Sequence, residues 1–373
     1  MYKKIFIITT EPSGDDLGYL LLKNLKVKFP KAKIYGLGGR KMELLKFSSI
    51  YPISNLSVNG IIEVLKKIFF FKKKINIIIS EIINFDPDLI ISIDSPSFCF
   101  RVIKKIQALR SNCKFVHLVT PTVWAWKRYR AKQFAINYDL LLSLYKFEPK
   151  YFTKFNKKVY FIGHPLFFKQ KYFKNNFKRK TICLLPGSRV NEVKYILPEL
   201  LKATKYITLK KNYKLKIITL NNLLPIIKKM TQGFEIEIVS DNREKELLLN
   251  QTDLAIVASG TAVLELASKN IPMVVVYKSH IITSLIVKAL VKLRWANIVN
   301  ILFNKEVIPE LLFSDCSGKK ISELTNKIIN NESFVKHQMK YFKRLESLML
   351  NKKQNPMDLA VKHIENLDGK KIN

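Results

Sequence analysis

The sequence predicts an α/β protein with two domains, each built on a parallel sheet. Apolar, β-branched runs alternate with helix-like segments, and the same pattern restarts after a polar, lysine-rich stretch at 168–180. The runs are continuously apolar rather than alternating, which is typical of strands buried on both faces of a sheet. At 373 residues the chain is also longer than a single domain usually is.

The predicted strands fall into two sets that define the domains. The first set is KIFIIT (4–9), KIYGLGG (33–39), LIISID (89–94), KFVHLV (114–119), LLLSL (140–144) and VYFIG (159–163). The second set is TICLLPGS (181–188), KLKIITL (214–220), EIEIVS (235–240), LAIVASG (254–260) and PMVVVY (272–277). We expect domains over 1–167 and 168–344, with a C-terminal helix, about 345–373, packing back on the first. Ligands of such folds lie outside the carboxyl ends of the strands, here in a cleft between the domains.

The composition limits the function classes. The formal net charge of +36 is compatible with nucleic acid, with an anionic membrane surface or with compositional drift towards lysine, so only local clusters of charge are informative. The four cysteines are scattered without metal-ligand spacing, which argues against a disulfide framework or a metal site. There is no secretory signal and no long uncharged apolar run, so we expect a cytoplasmic protein.

Two motifs in the second half have the chemistry of anion binding. LLPGSRVNE (184–192) follows a strand with Ser188 and Arg189, which could bind phosphate oxygens, although a plain strand-to-helix turn remains open. ASGTAVLE (258–265) places Ser259, Gly260 and Thr261 at a helix start, with Glu265 one turn later. Together they favour a nucleotide diphosphate. Glu265 suits two sugar hydroxyls, or is an ordinary helix residue.

The strand ends of the first half carry the candidate catalytic groups. Asp94, in SIDSPSF, ends a buried strand as either a general base or a turn cap. Trp124 and Trp126 form either a core patch or an apolar wall for a bulky ligand. His164, in FIGHPL, is more simply explained as a structural residue. TEPSGDDLG (10–18) lies where such a fold holds a ligand.

A basic, aromatic segment at 64–79 is a candidate for membrane contact. An apolar helix face rimmed by lysine is typical of proteins that sit in an anionic lipid interface, and a solvated surface helix is the alternative. Residues 282–295 have a similar character. The residues expected to touch the membrane are Lys66, Lys67, Phe69, Phe70, Lys72 and Lys73.

Ten motifs occur in the order of a known family. They are EPSGDDLG, GLGGRKM, VNGIIEVL, IDSPSF, TPTVWAWKRYR, FIGHPL, LLPGSRVNEV, ASGTAVLELA, IPMVVVYK and NILFNKEVIPELL. Over roughly residues 5 to 313 the chain therefore resembles the lipid-A-disaccharide synthases. The resemblance implies a GT-B fold of two Rossmann-like domains facing across a cleft. It also implies inverting transfer from UDP-2,3-diacylglucosamine to 2,3-diacylglucosamine 1-phosphate (lipid X), without cofactor or metal.

The resemblance also implies roles for individual residues. Asp94 is the candidate base, with Glu11 the next candidate. Ser188, Arg189 and the helix near Ser259 would bind the diphosphate, Glu265 the ribose, and Asn300 the nucleotide. Glu11, Ser13 and Gly14 would line the donor diphosphate or the acceptor sugar, with Asp15 helping to cap its own helix; Trp124, Trp126 and His164 are further candidates for substrate binding. The chain departs from the family's pattern at Thr10, usually glycine, and at Ser97, often a second aspartate.

Two rival functions follow from the same motifs. A UDP-N-acetylglucosamine epimerase or another GT-B transferase would share the nucleotide chemistry, whereas a basic nucleic-acid-binding or scaffold protein would carry these motifs as relics. The motifs lie at strand ends rather than in a basic stripe, which argues against nucleic acid. The substrates that the resemblance implies carry acyl chains and at least one phosphate, so it also implies peripheral binding to the anionic inner membrane. A homodimer remains open.

Overall fold

The computed structural model consists of two compact units. It describes residues 2–53, 68–109, 113–125, 127–155, 158–168, 180–207, 213–280, 294–352 and 354–368, and the side chains of 68 and 69 lie outside this description. One unit comprises Met1–Phe168 together with Leu348–Asn373, and the other comprises Lys169–Ser347. The first unit is called unit 1 below and the second unit 2.

Unit 1 is built on a seven-stranded parallel sheet with the order β3-β2-β1-β4-β5-β6-β7. Its strands are β1 (Lys4–Ile8), β2 (Lys33–Leu37), β3 (Ser48–Ser49), β4 (Leu89–Ile93), β5 (Lys114–Leu118), β6 (Leu140–Ser143) and β7 (Val159–Phe161). Its helices are α1 (Pro12–Lys28), α2 (Arg40–Glu43), α3 (Ile68–Phe85), α4 (Pro96–Gln107), α5 (Arg130–Asn137) and α6 (Pro165–Phe168). The strand order reverses between β1 and β4, which is where ligands bind in open α/β sheets.

Strand β1 shows why the apolar runs are continuous. Ile5 and Ile7 pack into the cluster that contains Leu21 of α1, whereas Phe6 and Ile8 pack into the cluster on the opposite face. That second cluster includes Ile78, Ile82, Val102 and Ile103, which lie on α3 and α4. Successive residues of the strand point to opposite faces, and helices cover both faces. All of these residues are therefore removed from water.

Unit 2 repeats this arrangement in a six-stranded parallel sheet with the order β10-β9-β8-β11-β12-β13. Its strands are β8 (Thr181–Leu185), β9 (Lys214–Ile218), β10 (Glu237–Val239), β11 (Leu254–Ala258), β12 (Met273–Tyr277) and β13 (Glu310–Leu312). Its helices are α7 (Val190–Ile207), α8 (Leu224–Met230), α9 (Asn242–Leu249), α10 (Thr261–Ser268), α11 (Ile298–Phe303) and α12 (Gly318–Asn330). Here the order reverses between β8 and β11. The prediction of two Rossmann-like parallel sheets is confirmed.

The C-terminal segment carries α13 (Glu332–Met349) and α14 (Pro356–Glu365). Met357, Ala360 and Ile364 of α14 belong to the same apolar cluster as β1, so this helix is part of unit 1. The ring of His363 stacks on Tyr160 with centroids 4.0 Å apart. The helix thus covers the sheet of unit 1, although the chain reaches it only after completing unit 2.

Two kinds of feature are absent from the described residues. None of the helices among them combines the length and the apolar composition needed to cross a membrane. Within the same part of the chain, no group of three or more His, Cys, Asp and Glu residues is placed to hold a metal ion. All four cysteines are buried, and none of them forms a disulfide.

Candidate functional site

The reversal of strand order in unit 1 brings the ends of β1 and β4 together, and Asp94 lies at this point. Its Oδ2 accepts a hydrogen bond from Ser13 Oγ at 3.0 Å, and its Oδ1 accepts one from the Ser95 N–H at 2.8 Å. Asp94 and Ser95 have φ angles of 54° and 44°, a left-handed conformation that non-glycine residues adopt at a cost. The strand end therefore turns sharply and holds a half-buried carboxylate in a fixed orientation.

Glu11 belongs to the same hydrogen-bonded group. Ser95 Oγ donates to Glu11 Oε1 at 3.3 Å and accepts from Thr10 Oγ1 at 2.7 Å. The structure thus brings Glu11, Ser13 and Asp94 together, as three of the predicted site residues. Thr10, at the position where the family usually has glycine, is buried and helps to hold the Asp94 turn through Ser95.

Gly14 is explained by packing rather than by contact with a ligand. It is buried, and a Cβ at this position would lie 2.1 Å from Thr9 Oγ1 and 3.3 Å from the Ile93 carbonyl oxygen. Only glycine lets the start of α1 approach the end of β4 this closely. The predicted contact of Gly14 with substrate stays a prediction.

Asp15 has a different role from the one expected. Its carboxylate accepts from the backbone N–H groups of Gly39, at 2.9 Å, Lys41, at 2.9 Å, and Met42, at 3.2 Å. It therefore caps the start of α2 instead of its own helix. This contact links the EPSGDD and GLGGRKM segments, since the first supplies the acceptor for the backbone of the second.

An aromatic group lies further along the same edge, after β5, β6 and β7. Trp124 packs edge-on against Phe147, with ring centroids 5.5 Å apart, and Phe147 stacks on Tyr145 at 5.9 Å. Tyr145 is in turn 6.1 Å from the His164 ring. Trp124 is half-buried, so it is neither a core residue nor fully exposed. Trp126 lies outside the described residues.

His164 is placed as a structural residue. It is buried, its backbone N–H donates to the Met349 carbonyl at 2.8 Å, and its Nδ1 accepts from the Leu166 N–H at 3.3 Å. Burial lowers the pKa of the imidazole to about 4, so the ring is neutral at physiological pH. These contacts favour the structural interpretation of His164 over substrate binding.

Sequence reasoning missed Glu148, which is buried behind the aromatic group. Its Oε2 is 2.8 Å from Thr120 Oγ1, and its Oε1 accepts from Trp124 Nε1 at 3.2 Å. The signal was present in the sequence, because an acid shortly after the apolar run LLLSL satisfies the same criterion that identified Asp94.

In unit 2 the Ser188–Arg189 turn lies at the reversal of strand order, after β8. Gly187 has φ +122°, which suits glycine, and Ser188 and Arg189 are exposed. The Glu192 carboxylate accepts from the Ser188 N–H at 2.9 Å and lies 3.5 Å from Arg189 Nη1. Since the start of a helix attracts negative charge, this carboxylate marks the place where an anion is stabilised.

The second anion-binding motif starts α10, after β11. Gly260 and Thr261 are exposed, and a Cβ on Gly260 would have no heavy atom within 4 Å, so there is open space above this turn. Ser259 Oγ donates to the Ala296 carbonyl at 3.0 Å. The carboxylate of Glu265 is paired with Lys245 of α9, with Oε1 and Nζ 2.7 Å apart. Sequence patterns gave no sign of this lysine beside the predicted ribose ligand.

The position of the Asn300 side chain does not favour the predicted contact with the nucleotide. Its side chain is fully buried, and its Nδ2 donates to the Ile308 carbonyl at 2.7 Å. Its Oδ1 accepts from the N–H groups of Val307, at 2.8 Å, and Ile308, at 2.9 Å. The amide is therefore used to hold the chain before β13, and we assign Asn300 a structural role.

The predicted membrane-contacting segment is described only in part. Lys66, Lys67 and the Phe69 side chain lie outside the described residues, as does most of 282–295. On α3, Phe70, Lys72 and Lys73 are exposed, and Lys74 Nζ lies 4.1 Å from the centre of the Tyr51 ring. The N-terminal half of α3 therefore exposes one aromatic ring and two lysines, and the exposed Ile83 follows near the end of the helix.

Solved structures with the same fold include a complex with UDP and a glycosyltransferase. The chain is similar to an S. aureus MnaA–UDP co-structure, at 14% identity and a TM-score of 0.67, covering 99% of this chain and 97% of that one. It is also similar to CalG4, the calicheamicin glycosyltransferase, at 11% identity and a TM-score of 0.65, covering 100% of this chain and 99% of that one. At such identities the likeness concerns the fold alone, and it confirms the predicted GT-B class.

Sequence comparisons extend over almost the whole chain. The model of the lipid-A-disaccharide synthetase family matches residues 5–364. A lipid-A-disaccharide synthase of Rickettsia bellii is 35% identical, covering 97% of this chain and 98% of the relative. One of Gluconobacter oxydans is 32% identical, covering 97% of this chain and 90% of the relative. The chain therefore belongs to the lipid-A-disaccharide synthetase family.

Proposed function

We propose that the protein is an inverting glycosyltransferase that forms the lipid A disaccharide. It transfers the sugar of UDP-2,3-diacylglucosamine to the 6-hydroxyl of 2,3-diacylglucosamine 1-phosphate and releases UDP. Family membership over nearly the whole chain supports this proposal. The structural observation that carries it is the Asp94 carboxylate, held by Ser13 and Ser95 where the strand order of unit 1 reverses.

The acceptor half of the reaction needs a base. As the 6-hydroxyl oxygen of the acceptor attacks the anomeric carbon of the donor, its proton passes to Asp94. The bond between that carbon and the UDP oxygen breaks on the opposite side, so the configuration inverts. Ser13 and the Ser95 N–H hold the carboxylate in place during this step, and Glu11, joined to the same serine, is available to contact a sugar hydroxyl.

The donor half needs stabilisation of the charge that develops on UDP. Arg189 is exposed and offers a planar fork for phosphate oxygens, and the starts of α7 and α10 add backbone N–H groups. Binding of a diphosphate at α7 would displace the Glu192 carboxylate from the Ser188 N–H, because both anions seek the same donors. Glu265, oriented by Lys245, is suited to accept from the ribose hydroxyls.

An assay by mass spectrometry tests the reaction. The intact protein is incubated with UDP-2,3-diacylglucosamine, with and without the acceptor lipid. The proposal expects UDP and a tetra-acylated disaccharide 1-phosphate only when both substrates are present. An epimerase would instead convert the UDP-sugar, without the acceptor, to an isomer of the same mass; proton NMR of the donor detects this isomer, and its formation would reject the proposed function.

We further propose that the protein acts at the cytoplasmic face of the inner membrane, which it binds peripherally through α3. Both substrates carry acyl chains, and the exposed Phe70, Lys72 and Lys73 suit an anionic lipid interface. Each lysine near such a surface contributes about 1 kcal/mol, so replacing both with serine is expected to weaken binding to anionic vesicles by roughly tenfold or more.

Vesicle co-sedimentation at fixed ionic strength measures this effect. The matched control replaces Lys336 and Lys340 of α13 with serine; both are also exposed, so the control removes the same charge elsewhere. The control should partition like the parent. Equal losses in both variants would mean that net charge alone drives binding, and the assignment to α3 would be wrong.

A further inference from the structure

Glu148 is an acid buried among neutral groups. The residue is only 1% exposed, and its carboxyl oxygens contact Thr120 Oγ1 at 2.8 Å and Trp124 Nε1 at 3.2 Å. Both partners come from the segment after β5, whereas Glu148 follows β6. The carboxyl group thus joins the ends of two adjacent strands.

The surroundings of Glu148 disfavour a negative charge. Placing an ionised carboxylate where only neutral donors face it is costly, and such a group protonates instead. Burial raises the pKa of the Glu148 carboxyl to about 8, against the opposing effect of the hydrogen bonds from Thr120 and Trp124. In the neutral form one oxygen still accepts from the indole N–H, and the other can donate its proton to the Thr120 hydroxyl, which rotates freely.

The titratable groups around Glu148 do not compensate a charge on it. Tyr145, on the segment after β6, has its pKa raised by burial and further by the charges of Glu148 and Asp94, so both acids lie within electrostatic reach of one phenol. His164, after β7, is neutral. Lys146 and Lys150, on the same segment as Glu148, and Lys127 and Arg128, after Trp124, are exposed to solvent.

We propose that Glu148 is a positioning residue that, as a neutral acid, holds the Trp124 indole at the edge of the sheet where Asp94 lies. This inference rests on the proposed transferase function, in which that edge receives the acylated acceptor. Trp124 then presents its ring to the acceptor in one orientation. Loss of the Glu148 proton places a negative charge within electrostatic reach of Tyr145, which Asp94 also reaches. This charge weakens binding of the phosphate-bearing acceptor.

The first test is independent of catalysis. Tryptophan fluorescence of the intact protein is followed from pH 6 to about 9.5, a range that spans the shifted pKa of Glu148. The emission of the parent should change with a midpoint near pH 8, because the ionising carboxyl contacts the Trp124 indole. The change should be absent in Glu148→Gln, which keeps the shape of the neutral acid, and in Trp124→Phe, which removes the reporter.

The second test separates positioning from packing. Glu148→Ala leaves the indole N–H and the Thr120 hydroxyl without a partner, and the KM for the acceptor should rise about tenfold while kcat changes less. Glu148→Gln should recover the acceptor KM to within about threefold of the parent, since it restores both hydrogen bonds. For the parent, kcat/KM should fall above pH 8 as Glu148 loses its proton. This fall should be absent in Glu148→Gln.

The outcomes distinguish this inference from the proposed function. Absence of the fluorescence midpoint in the parent, or its persistence in Glu148→Gln, overturns the inference whether or not transfer is observed. A Gln variant as impaired as the Ala variant would show that the charged form is required, and it also overturns the inference. If Glu148→Ala fails to fold, the comparison of the parent with Glu148→Gln still decides. If the parent shows the expected fluorescence midpoint but no transfer, the proposed function is rejected and the positioning of Trp124 by Glu148 is not.

Discussion

Replacing Asp94 with asparagine is expected to lower kcat for disaccharide formation by a factor of about 10² to 10⁴, the usual contribution of a general base. Asparagine preserves the local structure, because Oδ1 still accepts from the Ser95 N–H and Nδ2 can donate to Ser13 Oγ. The variant loses only the ability to accept the proton of the attacking hydroxyl. Substrate KM values should therefore change little.

The measurement is steady-state kinetics with both substrates, with Asp358→Asn as the matched control. Asp358 lies on α14 of the same unit, is exposed and accepts a hydrogen bond from Asn24, so the control makes the same chemical change outside the predicted site motifs. The control should retain parental turnover. Near-normal turnover of Asp94→Asn would refute its assignment as the base, and Glu11→Gln would be the next variant to assay.

Replacing Asn300 with alanine is expected to lower the free energy of unfolding of unit 2 by about 3 kcal/mol or more. The change leaves the buried N–H groups of Val307 and Ile308 and the Ile308 carbonyl without their partner, and each unsatisfied group costs roughly 1–3 kcal/mol. Denaturant titration of the variant measures this loss. The exposed Asn222, replaced with alanine, is the matched control and should be neutral.

The alternative role of Asn300 gives the opposite pattern. If the amide contacted the nucleotide, the variant would keep its stability and lose affinity for UDP. Measuring both quantities on the same preparations decides between the two roles. Loss of UDP affinity with stability unchanged would contradict the structural assignment.

Most of the fold could be predicted from the sequence, because buried parallel strands leave a strong signal. Strands β4, β8 and β11 are entirely buried, and each corresponds to a continuous apolar run. The strands that sequence reasoning missed lie at sheet edges. Strand β3 has only two residues, and the three residues of β13 are only half-buried, so neither needs an apolar run.

The candidate site was predictable where it depends on strand order and not where it depends on distant contacts. Asp94 and Ser188 follow apolar strands in a parallel sheet, and that position alone identified them. The acceptor role of Asp15 towards α2, the pairing of Lys245 with Glu265 and the burial of Asn300 depend on residues that only the folded chain brings together. The motif that contains Asn300 predicted a contact with the nucleotide. The hydrogen bonds of its amide indicate instead that Asn300 holds the chain before β13.

We propose that unit 2 binds the UDP portion of the donor and that unit 1 supplies the base. Calorimetric titration of UDP into three proteins tests this division most directly. The proteins are the parent, Arg189→Ala in unit 2 and Asp94→Asn in unit 1. Arg189→Ala should weaken UDP binding by about tenfold or more, because charge-assisted hydrogen bonds to phosphate are lost. Asp94→Asn should bind UDP within about twofold of the parent, because a base for the acceptor hydroxyl makes no contact with the nucleotide. Parental UDP affinity in Arg189→Ala, together with weakened affinity in Asp94→Asn, would contradict this division.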